Sequence, residues 1–495
     1  MRRNGILMHI SSLPSDYGIG SLGMPAFKFV DFLYEAGQSL WQVLPTNPTS
    51  FGDSPYQSFS VFAGNPYFID LEILHRQGLL TEDELEACKY RENYEAVDYA
   101  WVYKNRRNVM TAVYTRFDTK DKDYIGFCKQ NAEWLCDYAL FMALKDAHGG
   151  VAWYEWQSEY KTRDARAIKD FCDGHREAIE LYKMQQYLFS CQWTELKKYA
   201  NEKGIRLIGD MPIYTAHDSS DVWANPHLFK LDAELSPTHV AGCPPDAFSD
   251  DGQRWGNPIY NWKLMKEDGY SWFCRRMKKM CESFDTVRID HFRGFAEYYE
   301  IPASEQTARH GKWVKGPGKA LFDAIRERCG ECDIIAEDLG FMTPSVKKLL
   351  HSCGFPGIKV LEFAFSTNEE SEYMPHNYER NCVVYTGTHD NSTVLGWLNG
   401  EASEAEVDFA KRYMRLNEQE GYNWGMIKCA MASPADTCIL QMQDLLGLDD
   451  RARMNTPSTL GGNWTWRVKE ECINFWLAGI LKKLSETYWR ANKDI

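Results

Sequence analysis

Residues 5–44 read GILMHISSLPSDYGIGSLGMPAFKFVDFLYEAGQSLWQVL, and their order of apolar runs decides the fold class. An apolar run at 5–10 precedes a helical segment at 25–36 with Pro25 at its first turn and Gly37 just past its end, and a second apolar run follows at 39–44. Proline is preset for a first helical turn and glycine tolerates the left-handed stop, so the stretch predicts strand, helix, strand. Six more short β-like runs lie at 205–209, 285–289, 333–336, 358–363, 382–386 and 437–441, each after a segment that suits a helix. Eight runs spaced this way predict an α/β chain folded as a (β/α)8 TIM barrel.

Two gaps are too long for a simple barrel. Residues 52–200 read as a mainly helical insertion between strands 2 and 3, with Phe127, Trp134, Tyr138 and Met142, then Ile179, Tyr182 and Leu188, at helical spacing. Residues 211–284, rich in Pro, Asp and Trp, read as a loop-rich insertion between strands 3 and 4. No Gly/Ser/Pro tether separates either one, so both are expected to pack as subdomains at the carboxyl face of a single catalytic barrel spanning 1–495.

The chain has 56 Lys+Arg against 70 Asp+Glu, a net charge of −14, and no dense basic run. Such a balance repels phosphate, so neither nucleic acid nor an anionic membrane is an expected partner. No apolar run approaches the ~18 residues of a membrane helix. The start resembles a signal peptide, but its apolar stretch is short and His9 interrupts it. Fifteen cysteines, an odd number in a long chain, suggest reduced thiols and a cytoplasmic setting.

Three motif-like segments carry no chemistry. Gly18-Ile19-Gly20-Ser21-Leu22-Gly23 matches G-x-G-x-x-G, but seven residues separate it from the strand and no acid follows about twenty residues on for a ribose. Cys329-Gly330-Glu331-Cys332 lacks a second pair at zinc spacing. Around Asp246, Asp250 and Asp251, Ala247, Ser249 and Pro258 fall where calcium ligands belong. No metal and no cofactor is expected.

The chemistry lies at the strand ends, where runs lead to Asp210, Asp290, Glu337 and His389-Asp390. Any one of them alone is as readily a helix N-cap or a loop acid. On one barrel, however, all four point toward a single spot at the carboxyl face, and carboxylates gathered there repel one another unless chemistry requires them. Arg288 shares a strand face with Asp290 and is expected to keep it ionised, as a nucleophile requires. Negative charge from Asp290 and Asp390 should hold a proton on Glu337, as a general acid requires. Two carboxyls with split roles suit glycosidic chemistry, with retention or inversion set by their separation. A rival reading, an enolase-like Mg2+ centre of Asp210, Asp290 and Glu337 with Lys359 as base, suffers because Arg288 would compete with the cation. Most of the 17 Trp suit a core, whereas Trp255 lies in a polar stretch and suits a sugar face.

HISSLPSDYGIGSLG (9–23), GDSPYQ (52–57), GDMPIY (209–214), PPDAFSDDGQRWGNPIY (244–260), VRIDHFRGF (287–295), IAEDLG (335–340), GTHDN (387–391) and RMNTPSTLGGNWTWR (453–467) run nearly end to end. With these the chain resembles the amylomaltases, the 4-alpha-glucanotransferases of glycoside hydrolase family 77 in the α-amylase clan. The resemblance implies transfer of α-1,4-glucan segments between maltooligosaccharides, with Asp290 as nucleophile, Glu337 as acid/base and Asp390 as the third carboxylate. It implies Arg288 and His389 as their partners, and Asp210, Asp246, Gln253, Trp255, Ser54, Tyr56, His291 and Asn463 as residues lining a glucan groove. Phe363-Ala364-Phe365-Ser366 departs from relatives that carry an acid at the last position. The 244–260 loop is expected to act as a lid that favours an acceptor sugar over water. A retaining α-glucan hydrolase on the same barrel is the alternative activity.

Overall fold

The computed structural model describes residues 2–245, 249–340 and 342–492. Its strands in chain order are β1 (Arg3–Leu7), β2 (Leu40–Gln42), β3 (Arg206–Met211), β4 (His239–Cys243), β5 (Gln253–Pro258) and β6 (Thr286–Ile289). They continue with β7 (Glu297–Pro302), β8 (Lys312–Lys315), β9 (Ile334–Ala336), β10 (Gly357–Val360), β11 (Cys382–Tyr385) and β12 (Thr437–Gln441). Eight of them form one sheet in the order β10-β11-β12-β1-β2-β3-β6-β9, paired in parallel throughout. The Ala336 N–H donates to the Pro356 carbonyl at 2.9 Å and the Ile358 N–H to the Asp338 carboxylate at 2.6 Å, which closes β9 onto β10. The result is the (β/α)8 TIM barrel that the eight apolar runs predict.

Residues buried on both faces explain why these strands read as continuous apolar runs, as in Cys382-Val383-Val384-Tyr385. The helix Met24–Glu35 takes Pro25 in its first turn and buries Ala26, Phe29, Val30, Phe32 and Leu33 against the barrel. One run ends early: β10 stops at Val360 and Leu361–Ala364 turn into a 3-10 helix, where the sequence predicts strand to 363. A run that is apolar at nearly every position does not distinguish a buried strand from a buried turn.

Between β2 and β3 the chain is largely helical, with Tyr99–Arg116, Ala132–Ala147 and the 27-residue Arg176–Glu202 as its longest helices. A second, antiparallel sheet of order β5-β4-β7-β8 is a feature the sequence does not predict. Two excursions build it, one between β3 and β6 and one after β6. Gln253-Arg254-Trp255-Gly256-Asn257-Pro258 carries both Gly and Pro and no alternation, so its strand character comes from pairing with β4.

The G-x-G-x-x-G match has a packing cause. A Cβ on Gly20 would lie 1.9 Å from the Ile10 carbonyl oxygen, and one on Gly23 would lie 1.9 Å from the Asp70 carboxylate. Only glycine admits so close an approach. Cys329 and Cys332 do not pair with each other: the Cys329 thiol donates to the Cys274 carbonyl at 3.3 Å, and the Cys332 sulfur faces Cys281 at 2.6 Å. Among the described residues no helix is long and apolar enough to cross a membrane.

Candidate active site

The parallel ladder continues past the strand ends and carries the carboxylates with it. The Asp290 N–H donates to the Met211 carbonyl at 3.0 Å, the Glu337 N–H to the Ile289 carbonyl at 3.0 Å, and the Phe292 N–H to the Glu337 carbonyl at 3.0 Å. His291, with φ of 49°, takes the left-handed conformation that non-glycine residues rarely adopt. This turn aims its N–H at Oε2 of Glu337, 2.6 Å away.

At the centre is the buried Arg288 guanidinium. Its Nη1 lies 2.6 Å from Oδ2 of Asp210 and 3.3 Å from Oδ1 of Asp290, and its Nη2 lies 3.5 Å from Oε2 of Glu337. Burial opposes its charge, but Asp210, Tyr56, Asp290 and Glu337 outweigh burial and raise its pKa. The Tyr56 hydroxyl donates to the same Asp210 oxygen at 2.8 Å, and its ring stacks on His389 with centroids 5.0 Å apart. Nε2 of His389 lies 3.3 Å from Oδ2 of Asp390, whose Oδ1 accepts from the Asn455 amide at 2.7 Å.

Protons distribute differently from the sequence expectation. Arg288 gives its shortest contact to Asp210 rather than to Asp290. Burial, followed by the charge of Glu337, pushes the Asp290 carboxyl up to about 7 despite Arg288. The His291 N–H and Nη2 of Arg288 both face Oε2 of Glu337. Burial alone would raise Asp390, but His389 and Asn455 more than offset it and hold that carboxyl down at about 2. Burial likewise opposes the His389 charge, and Asp390 outweighs it to raise the imidazole.

No group of three or more His, Cys, Asp or Glu among the described residues could hold a metal ion. The space between Asp210, Asp290 and Glu337 holds the Arg288 cation, and Lys359 lies over the Tyr373 ring, 5.2 Å from its centroid. An enolase-like centre therefore has neither its cation position nor its base.

Residues 8–473 match the family model described as 4-alpha-glucanotransferase, glycoside hydrolase family 77. The 4-alpha-glucanotransferase of Clostridium butyricum is 47% identical over 485 residues, 98% of this chain and 100% of that one. Its counterpart in Streptococcus pneumoniae is 48% identical over 497 residues, covering 100% of this chain and 98% of that one. The solved amylomaltase from Streptococcus agalactiae in complex with acarbose superposes with a TM-score of 0.96 at 42% identity, covering 99% and 100%. The chain belongs to the 4-alpha-glucanotransferases of glycoside hydrolase family 77.

As a 4-alpha-glucanotransferase it gathers Asp210, Arg288, Asp290, Glu337, His389, Asp390 and Tyr56 into one cluster. Trp255 stands next to it, its ring edge-on to His291 at 4.8 Å and its indole N–H donating to Gln253 at 3.0 Å. The His291 imidazole is held neutral by burial, its pKa lowered to about 3, and its Nε2 has no hydrogen-bond partner among the described residues. Ser54 accepts the Tyr56 N–H at 3.2 Å and so shapes the turn that presents Tyr56. Asn463 braces its own loop, accepting from the Thr456 N–H at 3.0 Å and donating to the Thr459 carbonyl at 3.2 Å. Asp246 lies outside the described residues.

Sequence reasoning missed Arg453, Asn455 and Trp464. All three belong to the quoted 453–467 segment, yet polar loop residues have no periodicity that shows where they point. Their contacts to His389 and Asp390 come from chain folding alone.

Proposed function

We propose that this 4-alpha-glucanotransferase moves α-1,4-glucan segments between maltooligosaccharides by double displacement, with Asp290 as nucleophile and Glu337 as acid/base. The meeting of Asp290 and Glu337 on the one Arg288 guanidinium carries this reading. Inversion needs carboxyls ~6.5–9.5 Å apart to admit water, whereas retention uses a pair only ~5–5.5 Å apart. Carboxyls that face the two neighbouring nitrogens Nη1 and Nη2 of one guanidinium favour the short side of that division.

A sugar binds between the two carboxyls with Glu337 beside the glycosidic oxygen as the acid. Glu337 protonates that oxygen, Asp290 attacks the anomeric carbon, and the reducing-end portion leaves. Glu337, now anionic, takes the proton of an acceptor 4-OH, which attacks the same carbon and restores the α configuration. Asp390, held anionic, opposes the positive charge that develops on the sugar. Tyr56 reaches this centre from the 52–200 insertion and Trp255 from the 211–284 insertion, which supports reading both as walls of the groove on one catalytic barrel. Because β5 is paired with β4, Gln253–Pro258 supports a fixed wall more than a hinged lid. The fifteen free thiols favour a cytoplasmic setting.

Maltotriose tests the activity, since transfer yields a ladder of longer and shorter products with few new reducing ends. Glu337→Gln given an α-glucosyl fluoride donor, whose leaving group needs no acid, should accumulate a glucosyl ester on Asp290, read by peptide mass. Rapid fluoride release with no ester on Asp290 would sink the nucleophile assignment. The relative's ligand, acarbose, is a second probe, because its cationic linking amine mimics charge at the cleaved bond.

A further inference from the structure

The loop after β12 reaches back over the strand-end carboxylate that follows β11. The Asn455 amide donates to Oδ1 of Asp390 at 2.7 Å, and Nη2 of Arg453 donates to the Asp390 backbone carbonyl at 2.7 Å. Nε of Arg453 donates to the Asn455 carbonyl at 2.9 Å, and the Asn455 N–H donates to the His389 carbonyl at 3.1 Å. Side chain and backbone of one residue are thus held from the same three-residue segment.

That segment is itself anchored. Nη1 of Arg453 donates to Ser392 at 2.9 Å and lies 3.1 Å from Glu401, while Ser392 donates to Asp450 at 3.0 Å. The Trp464 N–H closes the loop onto the Met454 carbonyl at 2.6 Å, and Trp464, at φ of 64°, sets its ring 5.9 Å from that of His389 and 5.7 Å from that of Tyr56. Among the charged and titratable groups acting on Asp390 are His389, Arg288, Asp290 and Tyr56. Among the described residues its carboxylate is held by His389 and Asn455.

We infer that Asn455 and Arg453 are positioning residues that fix the orientation of the Asp390 carboxylate, so that the loop after β12 controls how well the site binds the distorted, positively charged sugar. The physical reason is that a carboxylate serves a transition state only if its oxygen is already in place. With His389 as its sole partner, the Asp390 side chain could still turn about χ2. A second donor on its other oxygen fixes the plane of the carboxylate. This inference rests on the role proposed for Asp390.

The test is a double-mutant cycle read by acarbose affinity, which remains measurable where turnover is lost. Dissociation constants are measured calorimetrically for the unmodified enzyme, Asn455→Ala, Asp390→Asn and the double variant, with melting temperatures alongside. Asn455→Ala is expected to weaken acarbose by roughly tenfold or more when Asp390 is present, as for loss of one charge-assisted hydrogen bond, and by less than about twofold in the Asp390→Asn background. With maltotriose the same variant should lose kcat at nearly constant KM. Asn455→Asp, equal in size but without the donor, should be worse than Ala because it sets a like charge against Asp390. Equal losses in both backgrounds, or no loss with Asp390 intact, would overturn the positioning role. Unweakened acarbose in Asp390→Asn would instead remove the role proposed for Asp390 and leave the clamp with nothing to hold. Should Asn455→Ala fold poorly, Arg453→Lys, which keeps the charge but not the fork, is put through the same cycle with the same expected pattern.

Discussion

Two buried guanidinium groups stand at opposite ends of the barrel and are satisfied in opposite ways. Arg490, at the amino-terminal end, donates to the carbonyl oxygens of Met431, Arg3, Asp436, Ser433 and Ala435 and ties the entries of β1 and β12 together. Arg288, at the carboxyl end, faces the carboxylates of Asp210, Asp290 and Glu337. Burial lowers the pKa of Arg490, whereas the surrounding acids outweigh burial and raise that of Arg288. Carbonyl dipoles fix a charge in place without titrating, so the first arrangement holds the fold. Carboxylates leave an excess of negative charge that a proton or a developing sugar cation relieves, so the second suits the proposed chemistry at some expense of stability.

The sharpest test of this contrast is Asp290→Asn. Transfer from maltotriose should fall by roughly a thousandfold or more while the chain still folds. The Asp290 carboxyl is raised in the folded protein to about 7, so its stabilising contribution is full below the unfolded pKa near 4 and is lost as pH rises toward 7. Melting curves across that window should therefore show Asp290→Asn gaining on the unmodified enzyme as pH increases. A variant equally active, or one that loses ground with rising pH, breaks the contrast.

Arg490→Met should do the reverse. Stability falls by about 3 kcal/mol because buried carbonyls lose their donors, and turnover per folded molecule stays within about twofold. Urea unfolding and active-site titration measure the two effects separately. Next in size, Tyr56→Phe keeps the stack on His389 but removes the hydroxyl from Asp210, and should lower kcat by about tenfold with little change in melting temperature. Smallest is Trp255→Ala, which opens the wall beside His291. The ratio of free glucose to disproportionation products should rise by about two- to threefold, read by chromatography, and an unchanged ratio removes that wall from acceptor selection.

The amino-terminal end was legible early, because strands buried on both faces leave apolar runs and helices leave Pro25 and Gly37. So were the residue types at the carboxyl end, since Asp210, Asp290, Glu337 and Asp390 each follow a run. The second sheet was not legible. β5 carries Gly and Pro without alternation, and the four strands form one sheet only because β4 and β7, from two separate excursions, pair. Arg453 and Asn455 were equally hidden, because a loop side chain has no period from which its direction can be read.

Sequence by itself determined the eight-strand barrel, the family and the acids at the strand ends, because burial and strand spacing are local properties written into residue order. Only the tertiary structure decided that Arg288 sits closest to Asp210, that Asp290 and Glu337 meet the same guanidinium, and that Asn455 donates to Asp390. Those facts depend on distances of a few ångströms between residues as many as 65 to 78 positions apart, and electrostatic energy is set by such distances and by burial rather than by order along the chain.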